Sequence, residues 1–217
     1  MGTCFFFSGF DNEKGFSPEI AQSLQERIMD RKSLVFVASC PFGHEKTDFY
    51  KDVCVHWFRN IGIEFERVDV IDGRKTETEC AAFIKNVSAI FLAGGTTLAQ
   101  MDFLRKNNLA PLLKQFNGAM MGMSAGAINM AVNAFYSADK DCGQTHIYKG
   151  IGLSDISIEP HFSLDNAKLL EKDILPFSQR IDIYCMCDNS AIMVQDGKRQ
   201  YYGDIYLASK GNIQKIN

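Results

Sequence analysis

Residues 122–126, with the sequence GMSAG, constrain the fold of this chain more than any other segment. A predicted strand at 119–123 leads directly into a predicted helix at 125–132, without a connecting loop. A serine at such a turn has strained backbone angles, so its neighbours must carry almost no side chain. The two glycines and the alanine of the segment meet this requirement. The pattern therefore predicts a nucleophile elbow, in which the hydroxyl of Ser124 is raised above the edge of a sheet.

Strand-like and helix-like segments alternate through the first two-thirds of the chain. Ser17 and Pro18 form a helix start, and Thr76 with Glu79 forms a capping box before another helix. The predicted strands are short and almost continuously apolar, which is typical of parallel strands that are covered on both faces. They span residues 3–8, 33–40, 64–70, 87–93 and 119–123. This order predicts a mostly parallel sheet with helices on both sides.

The last third of the chain has a different pattern. Tight turns, including Asp196-Gly197, separate four further predicted strands. These strands span residues 181–187, 191–195, 200–202 and 204–208. Because strands joined by short turns are antiparallel, we expect a β-rich, antiparallel extension at one edge of the sheet. No linker, repeat or low-complexity segment divides the sequence, so we expect a single domain over residues 1–217.

The composition argues against several classes of protein. Hydrophobic residues make up 46% and charged residues 23% of the 217 residues, and the formal net charge is −3. This charge argues against nucleic acid or an anionic membrane as a partner. The first residues lack the cationic start and the long apolar core of a signal peptide, which predicts a cytoplasmic protein. The uncharged segment 115–138 contains asparagines and glycines, which favours a buried strand–turn–helix over a membrane span.

Cysteine and glycine patterns predict neither a metal nor a cofactor. The seven cysteines include no C-x-x-C pair, and we interpret them as reduced, mostly buried thiols. A second glycine-rich turn, residues 92–97 with the sequence LAGGTT, also joins a strand to a helix. It matches neither common phosphate-binding glycine pattern, which disfavours nucleotide binding. Its backbone N–H groups are suited to complete an oxyanion hole beside Ala125; a tight turn capped by Thr96 is the alternative interpretation.

A nucleophilic serine needs a base, and the four histidines are the candidates. His161 follows a predicted strand, and a strand end beside the active edge of the sheet places a base well. On the residues alone, a structural histidine is an equally good interpretation of this position. His56 lies within a helix, where we expect it to pack. We expect His44 to border the site without acting, and His146 to lie in an exposed loop.

The residue patterns leave the third member of a triad open. Asp139 follows the elbow helix by one loop and keeps the chain order serine, aspartate, histidine. Asp188 ends a later predicted strand and is equally able to reach His161. Glu159 lies two residues before His161, on the same face of its strand. Each of the three carboxylates also fits a solvated position without a catalytic role.

Three segments taken together resemble the aspartyl dipeptidase and cyanophycinase family of serine peptidases. They are residues 93–97 (AGGTT), 122–127 (GMSAGA) and 159–162 (EPHF), and their order and separations agree with the family. The resemblance implies a three-layer α/β/α sandwich like that of class I glutamine amidotransferases, with a serine in place of their elbow cysteine. It implies a nucleophile, a base and two oxyanion-hole residues, which are Ser124, His161, Gly95 and Ala125. We take Asp139, at the position of the dipeptidase acid, as the third triad member, with Asp188 as the nearest alternative.

One departure from the family concerns the substrate. After His161 the chain lacks the arginine-containing segment expected of a dipeptidase selective for N-terminal aspartate, and the nearby cations are Lys168 and Arg180. We therefore predict a serine-type peptidase that hydrolyses small peptides through an acyl-enzyme on Ser124. Dipeptides with an N-terminal acidic residue are one candidate class of substrate.

Three alternatives to a peptidase stay open. An esterase shares the elbow pattern, although its histidine usually lies nearer the C-terminus. A ligand-binding homologue would keep the elbow without the chemistry. Thiol chemistry at Cys40 with His44 rests only on their closeness in sequence. For partners, we expect a small peptide, no nucleic acid and no membrane, in a monomer or a homodimer without cofactor or metal.

Overall fold

The computed structural model describes residues 2–138 and 143–217 of the chain. The strands among these residues are β1 (Cys4–Phe7), β2 (Ser33–Val37), β3 (Arg67–Ile71), β4 (Ala89–Leu92), β5 (Ala119–Met123), β6 (Asn133–Tyr136), β7 (His146–Lys149), β8 (Ser157–Pro160), β9 (Ile183–Met186), β10 (Ala191–Gln195), β11 (Lys198–Tyr202), β12 (Ile205–Ser209) and β13 (Asn212–Lys215). Seven of them form the main sheet, in the order β11-β10-β1-β5-β4-β2-β3.

The five strands β1 to β5 of the main sheet are parallel. Their carboxyl ends therefore meet along one edge of the sheet, which is where open α/β sheets bind ligands. At this edge β1 leads into Ser8, β4 into the glycine turn that contains Gly95, and β5 into Ser124. The mostly parallel sheet predicted from the sequence is confirmed.

Helices cover both faces of the main sheet. They are α1 (Pro18–Arg27), α2 (His44–Asn60), α3 (Glu77–Lys85), α4 (Thr97–Lys106), α5 (Leu109–Gln115) and α6 (Ala125–Met130). Helices α1 and α2 pack with one face of the sheet, through residues such as Leu24 and Trp57. Helices α3 to α6 pack with the opposite face, through residues such as Leu104 and Ile128. The three-layer α/β/α architecture is therefore confirmed.

The predicted helix starts are formed by local caps. The side chain of Ser17 accepts a hydrogen bond from the N–H of Ile20, and α1 begins at Pro18. Thr76 and Glu79 form both hydrogen bonds of a capping box at the start of α3. These two caps satisfy N–H groups that have no partner within the helix. The capping residues therefore predicted the starts of α1 and α3 correctly.

The C-terminal strands divide between two sheets. Strands β10 and β11 extend the main sheet as its antiparallel edge, as the sequence predicted. Strands β9, β12 and β13 join β8 in a second sheet of order β13-β12-β9-β8. Alternate side chains of β9 explain this second sheet. Tyr184 and Met186 pack with the core below the main sheet, and Ile183 and Cys185 pack with a third apolar cluster.

A short helical segment covers that third cluster. It consists of α7 (Ala167–Leu169), a π-helical turn (Leu170–Ile174) and α8 (Leu175–Phe177). Leu169 and Ile174 of this segment pack against Phe135 of β6, whose partner strand in a separate hairpin is β7. Within residues 2–138 and 143–217, no helix is long and apolar enough to cross a membrane.

Candidate active site

The turn at Ser124 has the geometry of a nucleophile elbow. Strand β5 ends at Met123 and helix α6 begins at Ala125, so Ser124 is the only residue between them. Its backbone angles are φ 48° and ψ −106°, a combination that residues other than glycine rarely adopt. Its N–H donates a hydrogen bond of 2.9 Å to the carbonyl oxygen of Phe7, which fixes the turn to β1. The predicted strand–turn–helix arrangement is confirmed.

The two glycines of the elbow permit close packing rather than flexibility. A Cβ atom on Gly126 would overlap the carbonyl oxygen of Leu92, at the end of β4. A Cβ atom on Gly122 would lie 2.7 Å from the backbone nitrogen of Ala127. Helix α6 therefore lies directly against β4 and β5. This contact holds the start of the helix beside Ser124.

The imidazole of His161 lies between a hydroxyl and a carboxylate. Its Nε2 atom is 3.0 Å from Oγ of Ser124, and its Nδ1 atom is 2.6 Å from Oδ1 of Asp188. An ionised carboxylate can only accept a hydrogen bond, so Nδ1 carries the proton that bonds Asp188. The lone pair of Nε2 is then directed at the hydroxyl of Ser124. This is the geometry of a nucleophile, a base and an orienting acid.

The second sheet brings the imidazole and the carboxylate together. Strands β8 and β9 are parallel neighbours, with Pro160 paired to Met186. His161 directly follows β8, and Asp188 is the second residue after β9, so both leave the sheet at the same edge. Residues 187–190 then cross to β10 of the main sheet. The carboxylate therefore lies where the two sheets join.

A buried serine directly after β1 supports His161. The side chain of Ser8 is fully buried, and its Oγ atom accepts a hydrogen bond of 2.8 Å from the N–H of His161. The same hydroxyl donates a 3.0 Å hydrogen bond to the carbonyl oxygen of Met186. Ser8 thus ties the ends of β8 and β9 to the main sheet.

The next residue, Gly9, leaves room for the side chains of His161 and Asp188. A Cβ atom at this position would lie 2.6 Å from both Oδ1 of Asp188 and Cε1 of His161. The carbonyl oxygen of Gly9 accepts a 2.7 Å hydrogen bond from the N–H of Asn189. His161 and Asn189 both have positive φ angles, 58° and 62°. Such backbone strain is common at active sites and persists only where surrounding contacts impose it.

The glycine turn and the start of α6 both adjoin Ser124. Gly95 has φ 130°, and a Cβ atom there would overlap Oγ of Ser39. A Cβ atom on its neighbour Gly94 would lie 3.5 Å from Cβ of Ser124, so the glycine turn adjoins the elbow. Ala125 is the first residue of α6, where an N–H has no partner within the helix. Among the described residues, no hydrogen bond uses the N–H of Gly95 or Ala125.

The other predicted acids have different positions. Asp139 lies outside the described residues, so the structure neither supports nor excludes it. Glu159 is buried, and its Oε1 atom accepts a 3.1 Å hydrogen bond from Oγ of Ser137. Both ring nitrogens of His161 are already bonded to Ser124 and Asp188. Glu159 is therefore not the partner of the imidazole.

The three remaining histidines lie outside the cavity beside Ser124. His44 is the first residue of α2, as expected. His56 was expected to pack, but this was wrong: its side chain is exposed and bonds Asn60 Nδ2 at 3.0 Å. The helix face that His56 occupies points to solvent, whereas Trp57 beside it is buried. His146 lies on β7 rather than in a loop.

Ser8 and Gly9 were not predicted from the sequence as site residues. The signal was present, because these residues directly follow the apolar run of β1 and so stand at the same edge as Ser124. The sequence contains no pattern typical of a metal centre. No group of three or more metal-ligating side chains occurs in the part of the chain that the structure describes.

A cavity of about 360 Å³ opens beside Ser124 and His161. Gly94 and Gly95 lie along one side of it. Five aromatic residues contribute to its wall, namely Phe10, Phe36, Tyr50, Trp57 and Phe91. Burial raises the pKa of the Cys54 thiol in this wall well above its usual value, so the thiol stays neutral. Lys46 contributes the cationic group among the described residues that line the cavity.

Comparison with known families agrees with this geometry. The model of peptidase family S51 matches residues 6–201, which include the elbow, the glycine turn, His161 and Asp188. The chain belongs to peptidase family S51. It is accordingly a serine-type peptidase, as the sequence predicted. The resemblance to the aspartyl dipeptidase-like family is confirmed at the level of this family.

Solved structures show the same fold. A peptidase from an acI-B1 Actinobacterium superposes with a TM-score of 0.71 at 16% identity, over 100% of this chain and 94% of that one. A putative peptidase E from Listeria monocytogenes EGD-e gives a TM-score of 0.68 at 18% identity, over 93% of this chain and 98% of that one. No curated protein matches the chain. At these identities the likeness establishes the fold and leaves the substrate open.

Proposed function

We propose that this S51 peptidase hydrolyses small peptides through an acyl-enzyme on Ser124. His161 acts as the general base and then as the general acid, and Asp188 orients the imidazole. One observation carries this proposal: a continuous hydrogen-bonded line runs from Oγ of Ser124 through His161 to Asp188, with spacings of 3.0 and 2.6 Å. Both spacings lie in the range in which a side chain transfers or orients a proton.

The first half of the reaction forms the acyl-enzyme. Oγ of Ser124 attacks the carbonyl carbon of the scissile bond while its proton moves to Nε2 of His161. The carbonyl oxygen becomes an oxyanion that accepts hydrogen bonds from the N–H groups of Gly95 and Ala125. Because these donors are fixed before the reaction, they stabilise the developing charge without reorganising. The tetrahedral intermediate then collapses as Nε2 donates its proton to the leaving amine.

The second half regenerates the enzyme. His161 takes a proton from a water molecule, and the resulting hydroxide attacks the acyl carbon. The ester bond to Oγ of Ser124 breaks, and the proton on Nε2 returns to that oxygen. Asp188 keeps its charge throughout and stabilises the imidazolium that forms in each half-reaction.

Asp188 takes the third role in this proposal, in place of the predicted Asp139. The support is the 2.6 Å contact with Nδ1 of His161, together with the position of Asp188 on the crossover between the two sheets. Asp188 is the second residue after β9, so the register of β8 and β9 sets its distance from the imidazole.

The size of the cavity supports a small substrate. Its volume of about 360 Å³ is near the lower limit of ligand sites, which span about 300 to 1,000 Å³. One or two residues fill such a space, and we therefore propose dipeptides and other short peptides as substrates. An N-terminal acidic residue, which the family resemblance suggests, is one candidate for the acyl residue, and the titrations below test it.

The test is peptide hydrolysis by the wild type and by Ser124→Ala. A panel of dipeptides and the matching short-chain esters is offered to both proteins, and kcat and KM are measured for each substrate. Ser124→Ala should lower kcat by roughly 10^4- to 10^6-fold, because the triad acts as a unit. Ser154→Ala, a serine outside the cavity, is the matched control and should keep the wild-type rate.

Three results would contradict the proposal. If Ser124→Ala keeps most of its turnover, Ser124 is not the nucleophile. If esters are turned over well and no peptide is cleaved, the chain is an esterase with the same elbow. If the folded wild type cleaves neither class, the chain is a binding protein that has kept the geometry alone.

A further inference from the structure

One face of α2 lines the cavity and changes in character along its length. Lys46, Tyr50, Cys54 and Trp57 follow one another at spacings that place them on a single face of the helix. Lys46 is exposed at the start of α2 and Tyr50 is half-buried. Cys54 and Trp57 are 1% and 2% exposed. The cavity thus has a charged rim and an apolar interior.

The aromatic side chains inside the cavity pack against one another. The rings of Phe36 and Phe91 stack with centroids 5.8 Å apart and planes 6° from parallel. The rings of Phe10 and Trp57 pack edge to face at 5.8 Å. The indole nitrogen of Trp57 donates a 2.9 Å hydrogen bond to the carbonyl oxygen of Asn12, so its polar atom is already satisfied. What the cavity offers a ligand is mainly apolar surface.

The position of the cavity relates it to one residue of a peptide substrate. Ser124, His161 and Gly95 all border it. In the proposed mechanism the attacked carbonyl lies between Ser124 and the N–H of Gly95. The side chain of the residue that carries this carbonyl branches one bond away. This acyl residue is therefore the part of the substrate nearest to the cavity.

We infer that the cavity between α2 and the glycine turn binds a large apolar or aromatic side chain on the acyl residue of the substrate. This inference rests on the proposed function and names its substrate class. An aromatic ring replaces water over the half-buried rings of Phe10 and Tyr50, which favours binding. A carboxylate placed among the same rings would lose its hydration without a buried partner.

Lys46 does not reverse this preference. Its side chain is at the exposed rim, and an ion pair in water contributes little to affinity. An acidic side chain would therefore gain a weak contact at the rim while leaving the aromatic interior unfilled. The charge of Lys46 is better placed to attract a carboxylate elsewhere on a short peptide than to select the acyl side chain.

A titration separates binding from catalysis. Trp57 is the single tryptophan of the chain, so tryptophan emission reports directly on the cavity. Ser124→Ala is titrated with Phe-Leu, Ala-Leu and Asp-Leu, none of which it should consume. Phe-Leu should change the emission saturably, with a Kd at least about 10-fold below that of Asp-Leu. The wild type should show the same order in kcat/KM.

Variants of the wall locate the effect. Tyr50→Ala should lower kcat/KM for Phe-Leu by about 10-fold, while the value for Ala-Leu changes much less. Phe10→Ala, at a second half-buried position, gives the same comparison if Tyr50→Ala does not fold. Phe42→Ala, which removes an exposed ring outside the cavity, is the matched control. In Lys46→Met the preference for Phe-Leu over Asp-Leu should persist.

The outcomes distinguish this inference from the proposed function. The inference is overturned if Asp-Leu binds and reacts better than Phe-Leu and Lys46→Met removes that preference. It is also overturned if the wild type cleaves peptides but none changes the emission of Trp57. If Phe-Leu binds but the wild type cleaves no peptide, the cavity assignment stands and the proposed function fails.

Discussion

The two halves of the candidate site are built in different ways. Ser124 lies between β5 of the main sheet and α6. All residues of α6 are buried. His161 and Asp188 belong to the edge of the second sheet, where their side chains are 49% and 61% exposed. Ser124 is held by neighbours in sequence. His161 and Asp188 are held by contacts with Ser8 and Gly9, which are distant in sequence and directly follow β1.

Because of this difference, substitutions in the two regions should affect stability and activity to different degrees. At the elbow, the same close contacts form the core and aim the hydroxyl, so a substitution there disturbs both. At the junction of the sheets, the contacts aim exposed side chains and bury little apolar surface. A substitution at the junction should therefore lower activity more than it lowers the free energy of unfolding.

The largest effect expected at the junction is that of Asp188→Asn. The asparagine no longer enforces the tautomer of His161 that has a free Nε2 atom, and it does not stabilise the imidazolium. We expect kcat to fall by about 10^3-fold, since the loss of a triad aspartate costs up to about 10^4-fold in other serine peptidases. The melting temperature should change little, because the carboxylate is exposed.

Asp139→Asn is the matched control for this measurement. It tests the aspartate that the sequence favoured, with the same change of side chain. Wild-type kinetics in Asp139→Asn and a large loss in Asp188→Asn would support the geometry described above. The reverse pattern would mean that Asp139, and not Asp188, orients the imidazole of His161.

Two glycine-to-alanine variants compare the regions directly. In Gly126→Ala the new methyl overlaps backbone at the end of β4, and we expect a loss of about 3 kcal/mol in the free energy of unfolding. In Gly9→Ala the atoms nearest to the methyl are the ends of two side chains, Asp188 and His161, which can turn away. We expect near-normal stability and a fall in kcat of about 10^2-fold, because small displacements of catalytic groups are costly.

Urea unfolding and steady-state kinetics on both variants check this comparison. The account holds if Gly126→Ala loses the most stability and Gly9→Ala loses activity while it stays folded. Equal losses of stability in the two variants would show that the junction is as much a part of the core as the elbow.

The smallest predicted effect concerns a second contact between the sheets. Tyr184 of β9 accepts a hydrogen bond from Arg199 of β11, and burial raises the pKa of Tyr184 to about 12. The folded pKa lies above the unfolded value near 10. The phenol therefore makes its full contribution to the free energy of unfolding below about pH 10. The contribution is lost as the pH rises from about 10 to about 12.

Tyr184→Phe checks that prediction, because phenylalanine has no proton to lose. Urea midpoints are measured for both proteins at about pH 8 and about pH 11. The wild type should lose more stability between the two pH values than the variant does. An equal loss would mean that the phenol titrates alike in the folded and unfolded chain.

The elements that the sequence predicted well are those with local causes. The elbow, the capping box at Thr76 and the glycine turn each depend on residues within a few positions of one another, so a pattern is enough to find them. The alternating strands and helices predicted the main sheet for the same reason. His161 was found because it directly follows a strand that ends in Pro160.

The parts that the sequence left open depend on distant contacts. From the sequence, Asp188 and Asp139 are equally plausible as the acid, and the register of β8 and β9 is what places Asp188 beside His161. The second sheet was missed because its strands read like ordinary antiparallel hairpins. The cavity was missed because its aromatic residues come from the loop after β1, from β2, from β4 and from α2, and each of them alone is typical of a core position.

The most direct test of the account is covalent labelling of the serine by a fluorophosphonate probe, with the adduct located by peptide mass spectrometry. We predict a single adduct on Ser124, formed at least about 10^2-fold more slowly in His161→Gln and in Asp188→Asn. Labelling of another residue in the folded protein would contradict the account. Labelling of Ser124 at an unchanged rate in both variants would do so as well.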